Sequence, residues 1–398
     1  MLQKSIFNWI VFFIFYSFHI SVNAQLAPPQ QAIGFNKFEL AKQYLGNASG
    51  GDGSGRYRNV TVRMARKALA DARDAGVRFL RVSATGFAPA APGQPGDLDL
   101  WVKDPAAHWA QMDMMFDDLD AAGLELVPSF VWNITQFPAM NGETVRHLVT
   151  DPKSSAYQMT ERYVREFIQR YKGRKTILFY ELTNELNLGA DLDTVGRCTR
   201  ESAPANMAPL CKPKGNYTTD EMIGFTKRLA AVVRQADGSR QISSGFSVPR
   251  AAAEHLRARP EWVTGTADFS PDSVEQYQRN LADIHSSVDI ISVHLYPGQG
   301  NARFGDTNPK GTALLEQTQK AAVKAGKPLF VGEFGDSERL DARPDSYTVR
   351  MIDRIAELKV PYSAVWAWEF YQRTPYQDRK STRLNSSHIQ KSRMPSSA

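Results

Sequence analysis

The chain has 398 residues, 48 Lys plus Arg against 42 Asp plus Glu, and a formal charge of +6. With 42% hydrophobic residues, 27 Gly, 22 Pro and no fixed repeat, the composition excludes a disordered chain and a fibrous one. The length accommodates one large barrel or two ordinary domains, with core enough for either.

In chain order, residues 1–24 are expected to be a cleavable export signal. Lys4 gives the positive start, Ile6 to Ile20 is largely apolar, and Val22-Asn23-Ala24 is a small-x-small cleavage site. The run is short for a membrane span, and no later segment is apolar enough for one. The mature chain is therefore expected to be secreted or periplasmic, free of the membrane and monomeric.

Short apolar runs then alternate with helical patterns. They are Gln31–Asn36, Val77–Ser83, Leu124–Phe130, Thr176–Leu182, Gln241–Gly245, Val288–Leu295, Pro328–Val331 and Tyr362–Trp368. Eight strands in βα alternation predict an α/β fold, a parallel sheet closed into a (β/α)8 TIM barrel. A doubly wound open sheet is the structural alternative. One catalytic domain over 25–376 requires long βα-loop insertions, placed at Lys37–Val60, Gly86–Lys103, Asn187–Thr218 and Ser247–Asp283. Cys198 and Cys211 share one of these loops, and in an exported protein they predict a disulfide rather than a metal site.

Residues 377–398 are basic, Ser-rich and without an apolar period, so they are expected to be a disordered tail foreign to the domain. No amphipathic stretch follows the eighth run, and a normal eighth helix is expected to be missing. The charge is uneven. Lys4 is the sole charge of 1–24 and the tail holds a net +4, which leaves +1 for residues 25–376. That balance argues against nucleic acid as a partner.

In a parallel barrel the functional side chains stand where strands end and βα loops begin. Those positions hold Arg81, Asn184, Glu185, His294, Tyr296, Glu333, Trp366 and Trp368. Glu181 and Glu369 lie near the same ends but lack the Asn-Glu and Gly-Glu-Phe-Gly surroundings. Paired carboxyls among such groups suit glycoside hydrolysis, where one protonates the leaving oxygen and an ionised neighbour acts on the anomeric carbon. Trp101, Trp132 and Tyr217, in or beside the loops, could stack on sugar faces or anchor the loops. The glycine-rich stretch at 47–55 lacks the Lys-Ser/Thr of a phosphate loop, and neither a serine nucleophile elbow nor an HExxH zinc motif is present. No metal and no cofactor are expected.

The TNELN and VGEFG segments, with Glu185 and Glu333 spaced 148 residues apart, resemble the fourth- and seventh-strand motifs of clan A glycoside hydrolases. Family 5, the cellulase and β-mannanase group, is the nearest likeness, over about Gln31 to Phe370. The resemblance implies that Glu185 is the acid/base, Asn184 bonds the sugar 2-hydroxyl, and Glu333 is the nucleophile held by Arg81 and Tyr296. It further implies that His294 bonds substrate or the acid/base, and that Trp366 or Trp368 is the sugar platform. Many members carry a His after the third strand, where this chain has Trp132 and Asn133. The expected activity is retaining hydrolysis of a β-1,4-linked polysaccharide, β-mannan or cellulose/β-glucan, by double displacement. A catalytically inactive glycan-binding barrel is the alternative, argued against by the presence of both carboxyls.

Overall fold

The computed structural model describes residues 31–47, 58–87, 96–193, 215–297, 303–305, 312–336 and 346–368. The leader, Cys198 and Cys211, Glu369 and the tail with the question of an eighth helix lie outside them. Eight parallel strands form one sheet: β1 Ala32–Asn36, β2 Phe79–Ser83, β3 Glu125–Val131, β4 Tyr180–Thr183, β5 Ile242–Ser243, β6 Ile291–Leu295, β7 Leu329–Phe334 and β8 Tyr362–Val365. Their order is β5-β4-β3-β2-β1-β8-β7-β6, and a parallel bridge between Ser243 and Ile290 spans the remaining gap. The expected barrel is therefore nearly closed.

Helices Arg58–Asp74, Pro105–Ala122, Ser155–Tyr171, Thr219–Ala236, Val274–Ile284, Ala313–Lys324 and Tyr347–Glu357 lie between successive strands. Their starts are written locally. The Ser154 and Ser346 hydroxyls accept from the Tyr157 and Val349 amides, and Thr218 with Glu221 forms a capping box. The insertion expected over Ser247–Asp283 is corrected here, because its end takes in most of the barrel helix Val274–Ile284. Its inward face includes the polar Asn280 beside Tyr277, Leu281 and Ile284, which obscures the apolar stripe.

The inside of the barrel is layered. Ala32, Phe79, Val127, Phe179, Ile290, Phe330, Tyr362 and Ala364 form an apolar plug, with Phe179 set edge-on to Phe330 at 5.2 Å and to Tyr362 at 5.1 Å. Two residues further along, Phe79 gives way to Arg81 and Phe179 to Glu181, both fully buried. Period-2 alternation thus stacks a charged layer directly on the apolar one. β7 departs from that alternation, with the register shifting between Val331 and Phe334. Phe330 belongs to the plug, so an unbroken strand would turn Glu333 outward. The irregularity at Gly332 turns it in.

Candidate active site

Arg81 is the hub of the charged layer. Its Nε and Nη2 reach Glu181 Oε1 at 2.8 and 2.7 Å, and Nη2 also donates to Asn184 Oδ1 at 2.8 Å. Nη1 donates to Asn36 Oδ1 at 2.9 Å and to Glu333 Oε1 at 2.7 Å. Every donor of the guanidinium fork is engaged, and its flat face lies over the Trp132 ring at 4.5 Å. Burial works against the Arg81 charge, but Glu181 and Glu333 more than offset it.

Glu333 accepts from Tyr296 Oη on its other oxygen at 2.6 Å. Glu185 follows β4 in the left-handed conformation at φ 53°, unusual for a residue with a side chain, and is held there by its N–H on the Gly245 carbonyl at 2.8 Å. Gly245 is required at that crossing, since it has φ +76° and a Cβ on it would lie 1.7 Å from the Thr183 carbonyl oxygen. His294 Nδ1 lies 2.9 Å from Glu185 Oε1 and 3.6 Å from Glu333 Oε1, so it stands between the two carboxyls. Oxygens of Glu185 and Glu333 and a His294 nitrogen all fall within 4.8 Å of one another. That spacing could hold a metal ion, but the Arg81 guanidinium already occupies the cation position against Glu333 Oε1.

The two carboxyls differ in environment. The Glu185 side chain is 31% exposed and that of Glu333 only 6%. Burial pushes the Glu333 carboxyl above its ordinary value and the Glu185 charge adds to the push, against His294, Arg81 and Tyr296. Burial also raises Glu185, but the His294 hydrogen bond and charge, with Arg81 behind them, hold it below the usual carboxylate range. Burial and the Glu333 charge raise the Tyr296 phenol, which stays a donor.

The aromatic residues divide sharply. Phe38, Trp132 and Trp366 lie nearly parallel, with centroids 5.8 to 6.3 Å apart. Of the pair after the eighth strand, Trp366 is partly open and stacked with Trp132, whereas Trp368 is buried edge-on against Phe35 at 5.1 Å. Trp101 and Tyr217 are buried anchors, bonding Glu166 at 2.7 Å and the Leu186 carbonyl at 2.7 Å. Asn133 ties its loop to the neighbouring one, donating to the Phe87 carbonyl after β2 and accepting from Thr135. Its oxygen is filled by the two Thr135 donors, and one N–H of the amide nitrogen stays available.

The structure joins Arg81, Asn184, Glu185, His294, Tyr296, Glu333 and Trp132 through direct contacts, with Trp366 stacked beside Trp132, whereas Trp368 is buried against Phe35 and Asn133 is bonded to Phe87 and Thr135. It adds three residues that the strand-end reading passes over: Asn36, Glu181 and Phe38. Asn36 closes the first strand, so its position was a usable signal. Glu181 is set aside by its surroundings in the sequence, and the Arg81 fork that engages it exists only in three dimensions.

A parallel (β/α)8 barrel with two carboxyls converging on one rim is the architecture of a barrel glycosidase. The chain belongs to glycosyl hydrolase family 5, the cellulase family, whose model matches residues 141–372. By family it is a glycoside hydrolase acting on β-glycans. No curated protein matches the chain. Among solved structures it is similar in fold to the endo-β-1,4-mannanase from Thermotoga petrophila, at 17% identity and TM-score 0.57, covering 92% of this chain and 78% of that one. It is also similar to the endo-1,4-β-mannanase from Rhizomucor miehei, at 14% identity and TM-score 0.56, covering 92% and 99%. A third is the GH5_18 protein from Streptomyces cattleya in complex with GlcNAc, at 15% identity and TM-score 0.60, covering 94% and 82%.

Proposed function

We propose that the protein is a retaining β-1,4-glycanase acting on β-mannan, with Glu333 as nucleophile and Glu185 as acid/base. The supporting observation is the carboxyl spacing. An oxygen of each lies within 4.8 Å of an oxygen of the other, a close approach that favours the roughly 5–5.5 Å carboxyl separation of retaining enzymes over the roughly 6.5–9.5 Å of inverting ones. Two similar folds are titled mannanases, which favours mannan over glucan as the first substrate to test.

Glu333, aimed by Arg81 and Tyr296, attacks the anomeric carbon while Glu185 gives its proton to the departing oxygen. The bond to the leaving sugar breaks as the Glu333–carbon bond forms. Water, deprotonated by Glu185, then displaces Glu333 with net retention. Asn184, fixed by Arg81, is placed to bond the 2-hydroxyl, and Trp366 is the sugar platform. Export through the expected leader would bring the enzyme to a polymer too large to enter a cell.

A hydrolysis panel of β-mannan, carboxymethylcellulose, xylan and lichenan, read as reducing sugar, tests the reading. Mannan should be cleaved fastest by the wild type, and Glu333→Gln should release almost nothing. Failure to cleave any of the four by a folded protein would favour a barrel that only binds glycans.

A further inference from the structure

Glu181 is the one carboxylate of the charged layer that the mechanism above does not use. It is fully buried, one oxygen takes both Arg81 Nε and Nη2, and its Oε2 has no hydrogen-bond partner. Such a half-satisfied carboxylate is costly to bury, and an amide or alcohol could have anchored the arginine with less desolvation. What an amide could not supply is the second negative charge. Arg81 carries one positive charge and meets two carboxylates, Glu181 across 2.7 Å and Glu333 across 2.7 Å.

We propose that Glu181 is a positioning residue that divides the Arg81 charge, so that the guanidinium aims Glu333 without fully neutralising it. A carboxylate locked in a private ion pair with arginine is a poor nucleophile, whereas one sharing the arginine keeps more of its own charge for the anomeric carbon. The other charged and titratable groups facing Glu333 are Glu185 just after β4, His294 on β6 and Tyr296 just after it. All three are unchanged by substitution at 181. The inference rests on Glu333 being the nucleophile, and the test separates the two.

The measurement is the titration of the Glu333 carboxyl by carbon-13 NMR, with glutamate labelled at Cδ and the signal assigned by its loss in Glu333→Gln. In Glu181→Gln the undivided Arg81 charge should move the midpoint down by about one pH unit. The acid limb of mannan hydrolysis should move with it. If Glu181 only anchors Arg81, loosening the arginine leaves the midpoint where it was or raises it, and that result overturns the proposal. Glu181→Asp, which keeps the charge but draws it back from Arg81, should give a smaller downward shift. It carries the test by sign alone should Glu181→Gln fail to fold. Wild-type turnover by Glu333→Gln would sink the nucleophile reading while leaving the titration result to stand or fall separately.

Discussion

At the scale of single residues, Glu185 and Glu333 differ in how much water each still holds. Burial and the Glu185 charge hold Glu333 above its ordinary value while His294 and Arg81 hold Glu185 below, an order opposite to the one the proposed chemistry uses. A sugar bound over the pair would strip water from the 31% exposed Glu185 side chain and have little left to strip from Glu333. Desolvation raises a carboxyl, so binding lifts Glu185 relative to its partner. The alkaline limb of kcat should therefore lie at higher pH than that of kcat/KM, and coincident limbs would contradict this. Replacing Glu185 by Gln should cost on the order of 10²- to 10⁴-fold in rate on mannan. The tryptophans provide a second contrast. Trp368→Ala should lower unfolding free energy by about 3–5 kcal/mol, as for a large core truncation. Trp366→Ala should raise KM or lower kcat with little effect on a urea melt.

Elements explain why some of this was legible and some was not. Strands of a parallel barrel are buried on both faces, so they appear as continuous apolar runs, and all eight could be found that way. β7 was foreseen only as far as Val331, because Gly332 and Glu333 are not apolar, yet the strand runs on to Phe334. The glycine before Glu333 marks the irregularity that turns the carboxyl inward, a pattern visible in the sequence but not its direction. Glu181 could not be placed, because its role depends on the Arg81 fork from another strand. Asn133 sits beside a strand end like the other candidate residues, and its bonds to Phe87 and Thr135 exist only in three dimensions. At the β4–β5 crossing, Gly245→Ala should be among the most damaging single substitutions, costing several kcal/mol in a denaturant titration. Glu181→Asp, two residues before the Thr183 carbonyl that Gly245 approaches, should leave that crossing intact.

For the whole molecule, charge and acid response follow from where the ionisable groups lie. Residues 25–376 carry +1 of the total +6, so hydrolysis of an uncharged glycan should be nearly independent of ionic strength. His108 and His285 are pushed down to about 4 by burial, from an ordinary 6.5. Below pH 6.5 the unfolded chain binds protons at these two histidines that the folded one refuses, so their contribution to stability is lost between pH 6.5 and about 4, after which carboxyls held low, such as Asp237 at about 2, continue the loss. Each histidine contributes on the order of 3 kcal/mol to that loss. Urea midpoints across the window should decline, and His285→Gln should flatten the decline. The central claim is the retaining carboxyl pair, and the most direct measurement is the anomeric configuration of the first sugar released from mannohexaose, followed by proton NMR. The β-anomer should appear first and only later mutarotate. An initial α-anomer would mean inversion and contradict the assignment of Glu333 as the nucleophile.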